Sequence, residues 1–145
     1  MLYRFKGFLC TACAAVCALV GFLGVRCLHA TQLSAIEGER TYYTTYKSSC
    51  ALIKDELHIL DTFTCRGESV CFDYEGDYEK LVRELLTSYD AHVLFVEDTC
   101  DTRSYYAYSF RLGEGVGVNG ALVNLHIAVS RERCSVGTPL IFGGF

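Results

Sequence analysis

The chain has 145 residues, and its 17 acidic and 13 basic residues give a net charge of −4 at pH 7. All 17 acidic residues but only ten of the basic ones lie beyond position 30, so residues 31–145 carry a net charge of −7. Phosphates of DNA and RNA repel so acidic a domain, which disfavours nucleic acid as a partner. This length suits one domain with a single modest core.

The first 30 residues have the layout of an export signal. Arg4 and Lys6 precede an uncharged run over residues 7–25, and the next charged residue is Arg26. A short basic region followed by an apolar stretch is typical of segments that direct a chain across a membrane. A buried helix of a cytosolic domain would carry a polar face, which this run lacks.

Two fates are predicted for this segment. Ala30 places a small residue directly before Thr31, as signal peptidase requires, which predicts a cleaved signal peptide over residues 1–30. The apolar run is close to the length of about 20 residues that a membrane-spanning helix needs, so an uncleaved anchor through residues 7–25 is the alternative. With either fate, residues 31–145 are expected to be extracellular, or anchored to the membrane and facing outside.

The residues after the export segment alternate between helix and strand patterns. Leu33–Glu37 is predicted as the end of a short helix, and Ser49 as the N-cap of another that contains Ile53 and Leu57. Six segments are predicted strands from their β-branched and aromatic residues or from alternation: Arg40–Lys47, Ser69–Tyr74, Val93–Val96, Ser104–Leu112, Leu122–Ser130 and Thr138–Phe142.

The clearest helix pattern lies between Asp77 and Tyr89. Asp77 is a favourable N-cap residue. Apolar side chains recur behind it on one stripe at helical spacing: Leu81, Val82, Leu85, Leu86 and Tyr89. Helices interleaved with mainly antiparallel strands predict an α+β domain over residues 31–145, with a sheet that carries helices on one face.

A glycine-rich segment, Gly115–Gly120, matches the pattern G-x-G-x-x-G. That pattern binds a dinucleotide only when a helix follows it, because the pyrophosphate lies at the helix N-terminus. Here Val123, Leu125 and Ile127 alternate with polar or small residues, as in a strand. The glycines are therefore predicted to connect two antiparallel strands, and no nucleotide cofactor is expected.

Nine cysteines divide between the export segment and the domain. The domain holds five of them: Cys50, Cys65, Cys71, Cys100 and Cys134. In an oxidising compartment five cysteines form at most two disulfides and leave one thiol. Cys65 and Cys71 are neighbours in sequence and are the candidate pair for a bridge that closes a small loop. The alternative is that all five are small buried apolar residues.

Candidate binding residues lie on two of the predicted strands. Tyr106, Tyr108 and Phe110 share one face, and tyrosines on a sheet suit an interface because they combine an apolar body with a polar tip. Ordinary packing between strands accounts for the same pattern and is favoured. Asn124 and His126 lie on the polar face of a later strand and complete the candidate set.

Metal and catalytic sites are not indicated by the pattern. His58, His92 and His126 lack the spacing of metal ligands, and the acidic run from Asp73 to Glu79 lacks the glycine of a calcium-binding loop. The sequence therefore predicts no metal, no cofactor and no catalytic residue.

The C-terminal part carries a resemblance. The strand pattern Val123–Val129, a short charged turn and the sequence Val136-Gly137-Thr138-Pro139-Leu140-Ile141 resemble the end of the YwmB-like family, exported proteins of spore-forming Gram-positive bacteria. The match covers about 20 residues. It implies a fold like that of the TATA-box-binding protein, a curved antiparallel sheet carrying helices, but no DNA binding and no known activity.

Two functional hypotheses follow. The first is a non-enzymatic envelope protein that uses its sheet or an edge strand to contact another envelope or sporulation protein. The second is a secreted thiol-dependent enzyme that uses the unpaired cysteine. The odd number of cysteines favours the second only if one thiol is accessible and activated.

Overall fold

The computed structural model describes residues 2–29, 32–44, 53–58, 61 and 64–142. These residues form two α-helices and nine β-strands, which are in chain order α1 (Leu2–His29), β1 (Glu39–Tyr43), β2 (Ile53–Lys54), β3 (Gly67–Asp73), α2 (Tyr78–Ser88), β4 (Ala91–Thr99), β5 (Thr102–Ser109), β6 (Val116–Val118), β7 (Ala121–Val123), β8 (Leu125–Val129) and β9 (Arg133–Thr138).

Seven of these strands form one sheet in the order β2-β1-β3-β9-β8-β5-β4, and every neighbouring pair is antiparallel. β6 and β7 form a separate two-stranded hairpin. The predicted class, a mixed α+β domain built on a mainly antiparallel sheet, is confirmed.

α2 covers one face of the sheet, and its predicted start is confirmed. The Asp77 carboxylate accepts hydrogen bonds from the N–H groups of Glu79 at 3.0 Å and Lys80 at 3.2 Å, which satisfies donors that a helix N-terminus leaves unpaired. Val82 is buried against the sheet, and the rest of the predicted stripe packs around it: Leu81, Leu85, Leu86 and Tyr89.

Side chains that alternate along three strands form the apolar face of the sheet below α2. Leu125 and Ile127 of β8 point to the same side because side chains alternate along a strand, and both are completely buried. Val70 of β3 and Val136 of β9 pair directly and are also completely buried. Burial of one such side chain contributes about 1.5–3 kcal/mol.

α1 contributes none of its described side chains to this core. Residues 10–25 are exposed except for Leu23, which is half-buried. Within the described part of the chain, no helix combines the length and the apolar character needed to cross a membrane. The predicted membrane anchor through residues 7–25 is therefore not supported.

Several predicted element boundaries were wrong. Leu33–Glu37 forms a turn and not a helix, and Ile53 lies in β2, where it pairs with Tyr43 of β1. Ser49 lies outside the described residues. The last strand is Arg133–Thr138, because Pro139 has no N–H to continue the ladder of hydrogen bonds.

The glycine-rich segment contains the predicted strand connection. Asn119 and Gly120, with φ values of 50° and 81°, are the two central residues of a tight turn between β6 and β7. A two-residue hairpin turn with positive φ at both positions favours the sequence Asn-Gly. A strand and not a helix follows the glycines, as predicted.

Candidate functional site

Three aromatic rings stack across three neighbouring strands on the face of the sheet opposite α2. The register pairs Phe95 with Tyr106 and Tyr106 with His126. The ring centroids of Phe95 and Tyr106 are 4.5 Å apart, and those of Tyr106 and His126 are 4.4 Å apart, with nearly parallel planes. We call these three residues the aromatic ladder. It ties β4, β5 and β8 together.

The hydroxyl group of Tyr106 connects the aromatic ladder to the polar side chain of Glu97. It donates a hydrogen bond to Glu97 Oε2 at 3.1 Å, and Asn119 Nδ2 donates to Glu97 Oε1 at 3.2 Å. The turn between β6 and β7 is thereby linked to β4. Burial, and secondarily the hydrogen bond to Glu97, raise the pKa of Tyr106 above its usual value of 10.0.

His126 is a buried member of the ladder and not a surface ligand. Its exposed fraction is 4%, and its Nδ1 accepts a hydrogen bond from the Ile141 N–H at 3.3 Å. That contact places the proton of the neutral ring on Nε2. Burial lowers the pKa of His126 to about 4, so the ring is neutral at pH 7.

Tyr108 lies beside the ladder at a more open position. It is half-buried and makes edge-to-face contacts with His92 at 5.8 Å and with Phe110 at 5.2 Å. Phe110 is 82% exposed. The structure thus brings the candidate residues Tyr106 and Tyr108 to one face, with exposure increasing towards Phe110.

Asn124, another candidate binding residue, has a structural role. It is completely buried, and its amide makes three hydrogen bonds to main-chain groups. Nδ2 donates to the carbonyl oxygens of Ser109 at 2.8 Å and Gly113 at 3.1 Å, and Oδ1 accepts from the Ser109 N–H at 2.8 Å. These bonds fix the connection after β5 and occupy both ends of the amide.

β4 is the end strand of the sheet, and in the described residues no strand pairs with its outer side. It has nine residues, more than the four predicted. Val93, Leu94 and Val96 remain 37–39% exposed, and we call these three side chains the edge surface. A β-bulge between Val93 and Phe95 interrupts the pairing with β5. The sequence indicated the strand but not its place at the edge.

The outer face at the other end of the sheet is covered by the residues after β9. The Phe142 ring packs edge-to-face on Tyr43 at 5.2 Å. Ile141 approaches Gly137 so closely that a Cβ there would lie 2.6 Å from Ile141 Cγ1. Glycine at this position therefore allows the C-terminal segment to lie on the sheet.

The predicted bridge between Cys65 and Cys71 is absent. Cys71 is a free thiol in β3, and Ser135 Oγ donates a hydrogen bond to its sulfur at 3.3 Å. Cys65 lies two residues before β3, and Cys71 lies four positions into that extended strand, about 13 Å beyond Gly67. A disulfide needs Cα atoms within about 7 Å. The loop expected between the two cysteines is mostly strand.

The remaining domain cysteines differ in accessibility. Burial raises the pKa of the Cys134 thiol to about 12, which makes it a poor nucleophile. Cys100 is exposed and lines an open groove of about 410 Å³ together with Arg103 and Arg131. Cys50 lies outside the described residues. Within the described ranges, no group of three or more His, Cys, Asp or Glu side chains is placed to hold a metal ion.

No family model, curated protein or solved structure matches this chain. The sheet leaves two surfaces accessible on which a partner could bind: the edge surface of β4, and the exposed aromatic side chains beside it.

Proposed function

We propose that this protein is an exported, non-enzymatic binding protein of the cell envelope. Its site is the outer side of β4, where it takes an extended, positively charged segment of another exported protein. The observation that carries the proposal is β4 itself, a nine-residue end strand with exposed apolar side chains at its edge.

An edge strand suits an extended partner because its outward N–H and C=O groups are available for pairing. The side chains on the two faces supply the specificity. Val93 and Val96 lie on the side of α2, since they pair with core-facing residues of β5, whereas His92 and Phe95 lie on the side of the aromatic ladder. A partner strand would contact an apolar row on one face and rings on the other.

Charge supports a basic partner over a second copy of this chain. Residues 31–145 carry a net charge of −7, so two copies repel each other, while a basic segment is attracted. β4 itself carries Glu97 and Asp98 near its C-terminal end, and its bulge disturbs regular pairing. Bulges and charges of this kind protect natural edge strands from pairing with themselves.

The leader supports the proposed location. Residues 10–25 of α1 are apolar and mostly exposed, as expected of a segment that is not part of the folded domain. The resemblance to the YwmB-like family, with its curved sheet like that of the TATA-box-binding protein, supports the same location and a role connected with the envelope or sporulation.

Site-specific photo-crosslinking in the envelope tests the proposal. A crosslinking residue at position 96 on β4 is compared with one at Thr87, an exposed position on α2. We expect position 96 to capture a discrete basic partner, and Thr87 to capture none. The captured amount should fall in Val93→Asp and should fall with rising salt concentration.

Equal crosslinking at positions 96 and 87, or capture that is insensitive to Val93→Asp, would contradict the proposal. If Tyr108→Ala reduces the captured amount and Val93→Asp does not, the partner binds at the aromatic face and not at the strand edge. A self-crosslinked dimer would show that the occupant is a second copy.

Labelling of the exported protein with iodoacetamide distinguishes the binding protein from the alternative, a thiol-dependent enzyme. Cys100 is the exposed domain thiol among the described cysteines, so an enzyme using one of them would show fast labelling there at neutral pH. We expect Cys100 to react at the rate of an ordinary exposed thiol and Cys134 to react only after unfolding. Rapid modification of one thiol that also blocks turnover would favour the enzyme.

A further inference from the structure

Residues 32–36, which we call the docked segment, lie directly after the predicted cleavage position and are built into the domain. Leu33 is completely buried and belongs to the core cluster with Val70 and Ile127. The turn is closed by a hydrogen bond of 3.0 Å from the Ile36 N–H to the Leu33 carbonyl oxygen. The core of the domain thus begins within three residues of Ala30.

A buried ion pair holds the docked segment in place. Glu68 on β3 is completely buried, and its carboxylate accepts hydrogen bonds of 2.6 Å from both the Leu33 N–H and Arg40 Nη1. Arg40 Nη2 in turn donates to the carbonyl oxygens of Leu33 at 3.2 Å and Ile36 at 2.9 Å. Undocking would leave a buried carboxylate without part of its donors, which opposes opening.

Gln32 ties the same segment to two distant parts of the chain. Its Oε1 accepts hydrogen bonds from the Gly113 N–H at 3.1 Å and from Thr138 Oγ1 at 3.3 Å. Gly113 follows β5 and Thr138 ends β9. The docked segment is therefore held by contacts from β3, from the connection after β5 and from the end of β9.

We propose that this docking controls removal of the leader: the Ala30–Thr31 bond is hydrolysed only while residues 32–36 are undocked. The inference rests on the proposed export leader. A signal peptidase would break the amide C–N bond with water, leaving a carboxylate on Ala30 and an ammonium group on Thr31. Its active site must bind residues on both sides of that bond, and Gln32 and Leu33 are the second and third residues after it.

In the folded domain Leu33 is buried in the core and Gln32 is held by its hydrogen bonds to Gly113 and Thr138, so cleavage depends on local opening of the docked segment. The rate of proteolysis at a protected site follows the population of the open form. Processing must then precede folding, and a domain that folds first retains its leader. The order of the two events decides whether the protein is released.

The test uses the purified full-length chain and detergent-solubilised signal peptidase, with the products identified by mass spectrometry. Cleavage is compared between the folded chain and the same chain in urea that the peptidase tolerates. We expect the folded chain to be cut at least about tenfold more slowly. Arg40→Ala should accelerate cleavage of the folded chain, whereas Arg131→Ala, a change in an exposed ion pair, should not.

Gln32→Ala serves as a milder second variant if Arg40→Ala does not fold, and circular dichroism establishes folding in each case. Equal cleavage rates for folded and unfolded chains would overturn the control by docking and leave the leader intact as a proposal. Failure of the unfolded chain to be cut between residues 30 and 31 would overturn both.

Discussion

The two ends of the sheet differ in how far the rest of the chain covers them. At the β1–β3 end, residues 32–36 cover one face and residues 139–142 cover the other, and buried polar groups such as Glu68 are paired. At the β4 end, Val93, Leu94 and Val96 remain exposed and the outer side of the strand stays open within the described chain. The first end is thus closed by residues of the chain itself, whereas the second end leaves apolar side chains exposed, and it is there that we propose a partner binds.

The ion pairs show the same contrast. Glu68 and Arg40 have side-chain exposures of 1% and 21%, whereas Asp98 and Arg103 at the β4 end have exposures of 68% and 50%. Exposed pairs contribute about 0–1 kcal/mol because water and salt screen them. A buried pair becomes costly when one partner is removed.

From the contrast between the two ends of the sheet, we expect Glu68→Ala to cause the largest loss of stability. The change leaves Arg40 Nη1 and the Leu33 N–H without their acceptor, so we expect the free energy of unfolding to fall by about 3–5 kcal/mol. The matched change Glu97→Ala at the β4 end removes exposed hydrogen bonds and should cost at most about 1 kcal/mol. Urea denaturation measures both; equal losses would refute the contrast.

Asn124→Ala is expected to have the next largest effect. It removes three buried hydrogen bonds and leaves main-chain groups of Ser109 and Gly113 unsatisfied, at a cost of about 2–3 kcal/mol. Asn119→Gly is the control, because glycine keeps the positive φ and loses only an exposed bond. Thermal unfolding that shifts equally for both variants would show that Asn124 is not a structural residue.

The burial of His126 predicts that the free energy of unfolding depends on pH, with an effect of intermediate size. Its pKa in the folded state, about 4, lies below the usual 6.5, so the unfolded chain binds the proton more tightly. The stabilisation is complete above pH 6.5 and is lost as the pH falls towards 4, by about 2 kcal/mol at pH 5. His126→Gln should reduce this slope in urea titrations, and an unchanged slope in this variant would contradict the prediction.

The smallest effect on stability is expected from Val96→Thr on β4. Val96 is 39% exposed, so the change should alter the free energy of unfolding by no more than about 0.5 kcal/mol. The same change at the buried Val136 places a hydroxyl in the core and should cost about 1–3 kcal/mol. Similar losses in chemical denaturation would mean that the edge surface is part of the core.

Local patterns in the sequence were sufficient for the elements whose signals are local. The Asp77 cap and the apolar stripe behind it specified α2. Alternation from Leu125 to Val129 specified β8 as a strand, but the polar face predicted for it was wrong because the structure buries both of its faces. Alternation with a period of two also predicted that a strand, and not a helix, follows the glycines. This excluded the helix N-terminus at which a pyrophosphate binds.

Long-range pairing could not be read in the same way. Glu68 shares a strand face with Val70, and its burial is tolerable only because Arg40, 28 positions earlier, reaches it. The ring stack of Phe95, Tyr106 and His126 depends on a register across three strands, which the sequence does not fix. The sequence therefore did not reveal that Asn124 and His126 make internal contacts.

The hydrogen bond between Gln32 and Thr138 has a consequence for synthesis of the chain. It joins residues 106 positions apart, so docking of the segment cannot be completed until nearly all of the described domain has been made. At 5–20 residues per second, translation of that stretch takes about 5–20 s. During this interval Gln32 lacks its bond to Thr138, and under the proposed control of cleavage the length of the message itself sets the time that a signal peptidase has to act.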